Sequence, residues 1–408
     1  MKLKSIKDLK NLRGKTVLFR VAYDVPLKEV DGHWQVADER RIKETLPTLK
    51  YLLKNKCRIV ILSWLSRPGG KVVQKYKMDP VAKTLQKLIK KPVKKLDDCV
   101  GPKVFEKISK MKPGQIIMLE NVRFYHQEEE NNRLFSKLLV HGIDLICFDA
   151  FAQAHRVHSS TVGISHLRPI YAGLLLLKEI KFLTALASQP QKPLVVVLGG
   201  AKMSDKVAVL KQLVHVADKV LLGGGAANVF LKAKGYQVGR SMVESSFVDK
   251  AKRKKINILK VAKELLEKYP DKIILPVDLV SANKIDEKAL VEMIDLQDKQ
   301  VINKNYLFLD VGPGTIANYL YELKNAKTIF WNGPMGVFEI KKFAFGTKKI
   351  AEAVARSKAT TVIGGGDTEI VVAKYGLDDK FTHISTGGGA SLELIGGKEL
   401  PALKMIIK

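Results

Sequence analysis

The stretch that decides the fold is PLVVVLGGAKMSDKVAVL, residues 193–210 of a 408-residue chain. It begins with a continuous apolar run, Leu194–Leu198, which is typical of a strand buried on both faces of a sheet. Gly199–Ala201 follow, and these small residues leave the backbone open to close approach. Ser204-Asp205 predict an N-cap, and the apolar spacing then predicts a helix over Lys206–Leu213.

A strand, a glycine turn and a helix in this order present free backbone N–H groups to an anion. Lys202 and Lys206 add positive charge at the same place, so the stretch suits a phosphate group. A tight crossover turn with two solvated lysines fits the same residues, and the Walker A spacing is absent from the chain. The rest of the chain has to decide between these two interpretations.

Length and composition narrow the class of protein. A chain of 408 residues is too long for one ordinary core, so we expect two domains. No apolar run approaches the length of a membrane span, and Met1–Lys4 does not resemble the start of a signal peptide. The three cysteines, Cys57, Cys99 and Cys147, are odd in number and widely spaced, which argues against a disulfide framework or a zinc site. We therefore expect a cytoplasmic protein that is not embedded in a membrane.

The formal charge of +29 raises the question of an anionic partner. The lysines are scattered along helix-like segments, and the dense run KAKRKK at 250–255 has no aromatic neighbours that could stack on bases. Small anionic substrates, or a generally lysine-rich composition, explain the charge as well. We therefore do not expect nucleic-acid binding as the main role.

Strands and helices alternate in both halves of the chain. The strands predicted in the first half are Thr16–Arg20, Arg58–Leu62, Gln115–Glu120 and Leu145–Asp149, with helices over Arg41–Asn55 and Pro80–Ile89 and an Asp31-Gly32 hairpin turn within Val30–Val36. The strands predicted in the second half are Leu194–Leu198, Val220–Leu222, Ile273–Leu275, Leu307–Asp310, Thr328–Trp331 and Thr361–Ile363. A helix over Leu174–Ala187 connects the halves. The pattern predicts an α/β protein of two doubly wound parallel-sheet lobes joined by a helix, with ligands at the carboxyl ends of the strands.

Different residues follow the strands in the two halves. In the first half they are arginines, which together would suit a multiply charged anion: Arg20, Arg67, Arg123 and Arg156, with Arg41 after a second loop. In the second half they are glycines: Gly199-Gly200, Gly223–Gly225, Gly312–Gly314, Gly333, Gly364–Gly366 and a last cluster at Gly387–Gly389.

Two weaker motifs point elsewhere. Val311–Ala317 fits the dinucleotide fingerprint G-x-G-x-x-A, but it follows the fourth strand of its half rather than the first, so we do not favour a nicotinamide enzyme. His155 and His158 have the spacing of a metal pair, yet the sequence offers no further ligands for them.

The segments named so far, and several others, resemble the phosphoglycerate kinase family over nearly the whole chain. The first half carries DERRIKETLPT (38–48), DDCVG (97–101), LENVRF (119–124), DAFAQAHRVHSS (149–160) and AGLLLLKE (172–179). The second half carries LGGAKMSDK (198–206), LPVD (275–278), DVGPGT (310–315), WNGPMGVFE (331–339), FGT (345–347), IGGGDT (363–368) and STGGGASLELIGGKELP (385–401).

The resemblance implies an activity and a domain plan. The activity is reversible phosphoryl transfer between ATP and the carboxylate of 3-phosphoglycerate, with ADP and 1,3-bisphosphoglycerate on the other side, Mg²⁺ as cofactor and a role in glycolysis and gluconeogenesis. The plan is an acceptor lobe over 1–170, a connecting helix over 171–187, a nucleotide lobe over 188–388 and a segment, 389–408, that returns to the first lobe. A monomer with a cleft that closes to bring the substrates together is implied as well.

The resemblance also implies roles for residues of this sequence. The catalytic set would be Arg41, Lys202, Gly365 and Gly388. The nucleotide-binding set would be Gly200, Ala201, Lys202, Lys206, Gly224, Gly312, Asn332, Pro334, Glu339, Gly365, Gly366, Asp367 and Thr368, with Asp367 on the metal. The acceptor set would be Ala22, Asp24, Arg41, Trp64, Arg67, Arg123 and Arg156.

The departures from the family pattern lie in the first half. The family's R-V-D-x-N-V-P is Arg20–Pro26 here, so that Ala22 and Asp24 replace its Asp and Asn. Its S-H-L-G-R-P is Ser63–Pro68, so that Trp64 replaces a histidine near the acceptor phosphate. An Asp24 carboxylate facing a substrate carboxylate would be repulsive by about 1 kcal/mol or more. Three interpretations remain: an active kinase with a rearranged acceptor site, a related kinase with another phosphorylated acceptor, or a nucleotide-binding protein without catalysis.

Overall fold

The computed structural model describes residues 1–249, 254–297 and 303–408, so the first four positions of the basic run 250–255 lie outside the described residues. The chain divides into two compact units. Unit 1 comprises Met1–Lys181 and Glu399–Lys408, and unit 2 comprises Phe182–Lys398. Among the described residues, no helix has both the length and the apolar character needed to cross a bilayer.

Unit 1 is built on a six-stranded parallel sheet in the order β5-β6-β4-β1-β7-β8, with β2 and β3 forming a separate hairpin. The strands are β1 (Thr16–Val21), β2 (Leu27–Val30), β3 (His33–Val36), β4 (Arg58–Leu62), β5 (Lys94–Lys95), β6 (Ile116–Met118), β7 (Leu145–Asp149) and β8 (Ile170–Ala172). The helices are α1 (Arg40–Lys54), α2 (Asp79–Ile89), α3 (Pro102–Ser109), α4 (His126–Glu129) and α5 (Arg133–Leu139), and α6 (Leu174–Ser188) begins in unit 1 and ends in unit 2.

The apolar runs of the first half form the strands that the sequence predicts. Every residue of β1 and β7 is buried, as expected for central strands covered on both faces. Asp31 and Gly32 both have positive φ, 50° and 73°, which is the geometry of a two-residue hairpin turn. At the end of the chain, the Lys4 N–H donates to the Ile406 carbonyl at 2.8 Å, which fixes the last residues in unit 1.

Unit 2 contains a second six-stranded parallel sheet, in the order β13-β10-β9-β17-β18-β19, and two smaller sheets. The strands are β9 (Leu194–Leu198), β10 (Lys219–Leu222), β11 (Ser246–Asp249), β12 (Lys254–Asn257), β13 (Ile273–Ile274), β14 (Asp278–Ala282), β15 (Val291–Asp295), β16 (Leu307–Val311), β17 (Thr328–Asn332), β18 (Thr360–Gly364) and β19 (His383–Ile384). The helices are α7 (Val207–Val216), α8 (Gly224–Ala233), α9 (Ile258–Lys268), α10 (Pro313–Lys324), α11 (Phe345–Arg356), α12 (Gly366–Lys374) and α13 (Gly389–Ile395). The predicted α/β class, with a parallel sheet in each half, is confirmed.

Two predictions about unit 2 need correction. The strand predicted over Leu307–Asp310 exists as β16, but it pairs antiparallel with β14 in a three-stranded sheet outside the parallel one. Its partner β14 alternates buried and half-buried residues at its start, so it lacks the continuous apolar run that marks the other strands. Helix α7 begins at Val207, one residue later than predicted, and its N-cap is Lys206 without a side-chain cap. The Ser204 N–H bonds instead to the Glu244 carboxylate at 2.8 Å.

A buried carboxylate holds the first turn of α6. Asp149, the last residue of β7, accepts hydrogen bonds from the Leu176 N–H at 2.8 Å and from the Thr48 hydroxyl at 2.5 Å. The Thr48 oxygen accepts in turn from the Leu174 N–H at 2.9 Å. Burial raises the pKa of Asp149 to about 7. The helix start is therefore tied to the end of a central strand through a group that titrates near neutrality.

The raised pKa of Asp149 predicts that stability depends on pH. The native state keeps this proton while the unfolded chain, with a pKa near 3.8, releases it, so the free energy of unfolding falls as pH rises from about 4 to about 7. One such group contributes a slope of at most about 1.4 kcal/mol per pH unit. We expect Asp149→Asn to flatten this slope in urea unfolding followed by tryptophan fluorescence at several pH values. An unchanged slope would contradict the assignment.

Candidate active site

Parallel pairing brings the carboxyl ends of β1, β4, β6 and β7 to one edge of the unit 1 sheet. Three of the loops at this edge are joined by hydrogen bonds through Asp24. The Arg41 Nη1 donates to the Asp24 carbonyl at 2.6 Å, and the Ser66 N–H donates to the Asp24 carboxylate at 2.8 Å. The Arg123 Nη1 then donates to the Ser66 carbonyl at 2.8 Å. Arg41 and Arg123 are thus held in one connected set.

Trp64 is buried, with 2% of its surface exposed, and lies against cationic side chains. The Arg123 guanidinium carbon is 4.1 Å from the centre of the indole ring, and that of Arg20 is 4.5 Å away. The His158 ring lies at 5.2 Å. Cation–π contacts of this kind contribute about 2 kcal/mol when desolvated. Trp64 therefore packs directly against Arg123, another residue of the predicted acceptor set.

Arg20 is engaged by other residues of unit 1. It is fully buried and its Nε donates to the carbonyl and to the hydroxyl of Ser160, at 3.0 and 3.1 Å. Buried Glu128 accepts from the same hydroxyl at 2.6 Å. Burial lowers the pKa of Arg20 to about 9, which leaves the guanidinium charged at neutral pH, while burial raises the pKa of Glu128. The expectation that Arg20 belongs to the anion-binding arginines is not supported.

The remaining residues of the predicted acceptor set divide by exposure. Arg67 and Arg156 are exposed on the loops after β4 and β7, and Arg41 is half-buried at the start of α1. Ala22 is buried, and Arg123 is 6% exposed. Burial lowers the pKa of Arg123, and the charge of Glu129, 3.2 Å from its Nε, opposes that shift. The edge therefore offers three accessible arginines around the buried pair of Arg123 and Trp64.

Ser66 is a departure whose significance the sequence does not reveal. Its φ is 60°, in the left-handed region that favours glycine, and the family pattern has glycine at this position. The backbone of Ser66 carries both hydrogen bonds that connect Asp24 to Arg123. The strained backbone is therefore part of the link between the two loops.

In unit 2 the loops after β9, β10 and β17 are joined by backbone hydrogen bonds. The Gly200 N–H donates to the Pro334 carbonyl at 2.7 Å, and the Gly225 N–H donates to the Gly200 carbonyl at 2.9 Å. A Cβ atom at Gly225 would lie 2.3 Å from the Ala201 carbonyl oxygen, so this close approach requires glycine. The Gly224 N–H bonds to the Met335 carbonyl at 2.9 Å.

The same set of hydrogen-bonded loops includes the loop after β18. The Asn332 amide donates to the Gly364 carbonyl at 2.8 Å, and the buried Thr368 hydroxyl accepts from the Gly333 N–H at 2.7 Å. Gly365 is the N-cap of α12, whose first residue, Gly366, is exposed. Gly388 is likewise the N-cap of the short helix α13. The predicted residues at these two positions therefore stand at helix starts.

Lys206 is the buried cation of this edge. It is 8% exposed, and its Nζ donates to the Lys202 carbonyl at 3.2 Å. Burial lowers the pKa of Lys206, and the nearby charges of Asp205, Asp367 and Glu244 oppose that shift. Lys202 is exposed beside it. An anionic ligand at this place would meet one desolvated and one solvated ammonium group.

The carboxylate predicted to hold Mg²⁺ fits that role. Asp367 is exposed in the first turn of α12, and its charge acts on Lys206. Mg²⁺ usually takes one or two protein carboxylates and completes its shell with phosphate oxygens and water. No cluster of three or more His, Cys, Asp or Glu side chains suited to a metal occurs in the part of the chain that the structure describes. Glu339, a member of the predicted nucleotide-binding set, is also exposed.

Gly312 differs from the other predicted glycines because the helix start beside it already has an anionic partner. The Asp278 carboxylate accepts from the N–H groups of Gly314 and Thr315, at 2.8 and 2.6 Å, and from the Thr315 hydroxyl at 2.6 Å. A dinucleotide pyrophosphate would need these same N–H groups. The G-x-G-x-x-A pattern at 312–317 is therefore accounted for by a capped helix.

Known proteins resemble this chain over nearly its whole length. The family model described as phosphoglycerate kinase matches residues 6–398. The chain belongs to the phosphoglycerate kinase family. It is 46% identical over 409 residues to the phosphoglycerate kinase of Dictyoglomus turgidum, covering 100% of this chain and 99% of that one, and 44% identical to that of Borreliella afzelii, covering 100% of both.

The fold of this chain is similar to solved structures of the same family. The phosphoglycerate kinase structure from Coxiella burnetii has a TM-score of 0.84 at 37% identity and covers 99% of both chains. That from Pyrococcus horikoshii has a TM-score of 0.82 at 35% identity and covers 99% of this chain and 98% of the other. The resemblance drawn from the sequence motifs is confirmed at the level of the family.

Sequence reasoning missed three side chains that organise these edges. Glu244 holds the loop of Lys202 and Lys206, Asp278 caps α10, and Glu128 supports Arg20. Glu244 and Glu128 stand in segments without a motif, so only the fold reveals their positions. Asp278 lies within the family-like segment LPVD, which gave a signal without indicating the capping role.

Two glycines of the candidate site test the close packing of its loops. We expect Gly225→Ala to destabilise the protein by about 1–3 kcal/mol, because its Cβ would collide with the Ala201 carbonyl oxygen. Gly366→Ala is the control, because no atom lies within 4 Å of its Cβ position, and we expect a change within about 1 kcal/mol. Urea unfolding measures both. Equal effects would show that the loops do not pack as described.

Proposed function

We propose that the protein catalyses reversible phosphoryl transfer between ATP and the carboxylate of 3-phosphoglycerate. Membership of the phosphoglycerate kinase family supports this reaction. The structural observation that carries it is the buried ammonium group of Lys206 among hydrogen-bonded glycine loops in unit 2. We infer that the protein acts as a monomer in the cytoplasm.

The nucleotide is proposed to bind at the carboxyl edge of the parallel sheet in unit 2. Lys202 and Lys206 would contact its phosphates, and the N–H groups at the start of α12 would add partial positive charge. Asp367 would hold Mg²⁺, which neutralises phosphate charge when bound. Asn332 ends β17, and Pro334 and Glu339 stand on the loop after it, where the base and ribose would lie. The remaining members of this proposed set are Gly200, Ala201, Gly224, Gly312, Gly365, Gly366 and Thr368, with Gly365 and Gly388 also assigned to catalysis.

The acceptor is proposed to bind at the carboxyl edge of unit 1. Arg67 and Arg156 are exposed there, and Arg123 is oriented by Ser66 and Trp64. Charge-assisted hydrogen bonds from arginine to phosphate contribute about 1.5–3 kcal/mol each. Arg41 would hold the acceptor carboxylate and stabilise the group in transfer.

The proposed phosphoryl transfer requires no general base. The acceptor carboxylate is already ionised, so no proton has to be removed before it attacks phosphorus. Catalysis of phosphoryl transfer depends mainly on positioning and on neutralising the charge of the transferring group. Cations such as Arg41, Lys202 and Lys206 are suited to both tasks.

A second candidate is transfer to another phosphorylated acceptor. Ala22 is too short to reach the hydroxyl that the family's aspartate would hold, and Asp24 places a carboxylate in the same loop. A site of this kind would still bind the phosphate, but it would bind the carboxylate end of 3-phosphoglycerate more weakly. A catalytically impaired protein that binds nucleotide is the third interpretation, and a turnover assay separates it from the other two.

The test of the proposed reaction is a coupled assay with ATP, Mg²⁺ and 3-phosphoglycerate. We expect turnover by the native protein and a loss of at least about 100-fold in kcat for Arg41→Ala, because a cation at the transferring group is removed. Nucleotide affinity, measured by calorimetry, should stay nearly unchanged, since Arg41 lies in unit 1. Arg13→Ala, an exposed arginine before β1, is the control and should keep full activity.

Two outcomes would contradict these assignments. Absence of heat with MgATP at millimolar concentration would exclude the nucleotide site in unit 2. Equal losses of turnover and nucleotide affinity in Arg41→Ala would show that Arg41 is misplaced.

The acceptor departures predict a gain of function on restoration. The triple variant Ala22→Asp, Asp24→Asn and Trp64→His should improve kcat/KM for 3-phosphoglycerate at least about tenfold, equivalent to about 1.4 kcal/mol. Asparagine at position 24 keeps an acceptor for the Ser66 N–H while removing the negative charge. The single Asp24→Asn variant separates the charge from the other two changes. If restoration has no effect or harms an efficient native enzyme, the three residues do not weaken the site.

A further inference from the structure

The amino ends of the strands in unit 1 form a surface that the proposed reaction does not use. Parallel pairing places them at the edge opposite the candidate active site. The segments that lead into β1, β4, β5, β6 and β8 carry exposed cations: Lys10, Arg13, Lys15, Lys54, Lys56, Lys90, Lys91, Lys94, Lys110, Lys112 and Arg168. We call this set the basic edge. The remaining strand, β7, is preceded by Asp144 and by no lysine or arginine, and Asp144 faces Arg58 at 3.9 Å.

The segments of the basic edge are in direct contact with one another. The Gly14 N–H donates to the Lys56 carbonyl at 3.1 Å, and the Arg58 Nε donates to the Gly14 carbonyl at 3.0 Å. The Gly114 N–H donates to the Cys57 carbonyl at 2.8 Å, which adds the segment before β6. Cations that are far apart in sequence are thus gathered on one face by the sheet.

These cations are poorly neutralised within the chain. Of the residues of the basic edge, Lys110 is the one with a described ion pair, to Glu106 at 2.5 Å. Lysine in the last turn of a helix is favoured by the helix dipole, which accounts for Lys54. The dipole does not account for cations further along the loops, such as Lys15, Lys91 and Lys112.

The corresponding edge of unit 2 provides an internal comparison. Its segments contain lysines together with acidic residues, namely Asp218, Asp271, Asp378 and Asp379. Asp218 faces Lys192 at 3.3 Å. Both edges are formed by the amino ends of a six-stranded parallel sheet, and both belong to one chain of one composition. The excess of cations in unit 1 is therefore not a simple consequence of a lysine-rich sequence.

We propose that the basic edge binds the phosphate backbone of duplex nucleic acid without reading its sequence. Six strands spaced by about 4.8 Å give a row of loops roughly 24 Å long, comparable to about seven base pairs. Duplex nucleic acid carries the dense, regular negative charge that such a row complements. These loop segments contain no Phe, Tyr or Trp side chain to stack on bases, which is consistent with contacts to the backbone.

An acidic membrane surface fits less well. Lasting attachment to a membrane generally combines basic residues with inserted apolar side chains or a lipid anchor. Within the described segments of the basic edge, no large hydrophobic side chain is exposed. Binding to a nucleic-acid backbone requires only the positive charge of the basic edge.

The test uses the full-length protein and a fluorescent 24-base-pair duplex RNA in about 0.15 M KCl. The edge variant carries Lys15→Glu, Lys56→Glu, Lys91→Glu and Lys112→Glu. The control carries Lys324→Glu, Lys327→Glu, Lys358→Glu and Lys380→Glu, which make the same charge change at the corresponding edge of unit 2. Melting temperatures establish that both variants fold. Neither set includes a residue of the candidate active site.

We expect native binding that is weakened at least about tenfold in the edge variant and less than about twofold in the control. The slope of log K against log salt should fall in magnitude by up to about 3.6 in the edge variant, since each of the four lost phosphate contacts removes about 0.9. Kinase turnover should be unchanged in both variants, so this outcome is independent of the proposed reaction.

Three results would overturn the proposal. The first is absence of native binding at this salt concentration. The second is an equal loss in both variants, which would show that the net charge of the chain acts without a defined surface. The third is binding to vesicles of phosphatidylcholine with about 30% phosphatidylserine that the edge variant loses while duplex binding persists.

Discussion

Parallel strand pairing is the constraint on which both surfaces of unit 1 depend. Because β4, β1 and β7 run in the same direction, all their carboxyl ends meet at one edge and all their amino ends meet at the other. The first edge collects the arginines of the candidate acceptor site. The second collects the lysines of the basic edge. One topological rule therefore gives two charged surfaces at opposite ends of the same sheet.

Cations that are gathered at one edge of a sheet need buried side chains to hold them in place. In unit 1, Arg20 and Glu128 are buried together behind Trp64, and Trp64 contacts Arg123. In unit 2, Glu244 holds the loop that carries Lys206. A cation that is kept partly dehydrated interacts more strongly with a phosphate than one in free solution. These buried partners keep the cations in place before any ligand is present, which lowers the ordering cost of binding.

The sequence was sufficient to predict the fold class, the central strands and the family. Continuous apolar runs such as Leu194–Leu198 became central strands with nearly the predicted bounds, because burial on both faces leaves a clear pattern. The same reasoning failed for β14, whose buried and half-buried residues alternate at its start, and therefore misplaced β16 in the parallel sheet. The basic edge also escaped detection, because its cations come from five separate segments that only the fold brings together.

The candidate acceptor site shows why a substitution has to be judged by its contacts. From the sequence alone, Asp24 is a negative charge that repels a carboxylate substrate. In the fold, its carboxylate accepts the Ser66 N–H while its carbonyl accepts Arg41, so it also connects two loops that carry arginines. Its charge further stabilises the charged form of Arg123 against the effect of burial on the pKa. The electrostatic cost toward a carboxylate substrate and the gain in ordering Arg41 and Arg123 act in opposite directions, so the charge of Asp24 alone does not decide the effect of this substitution.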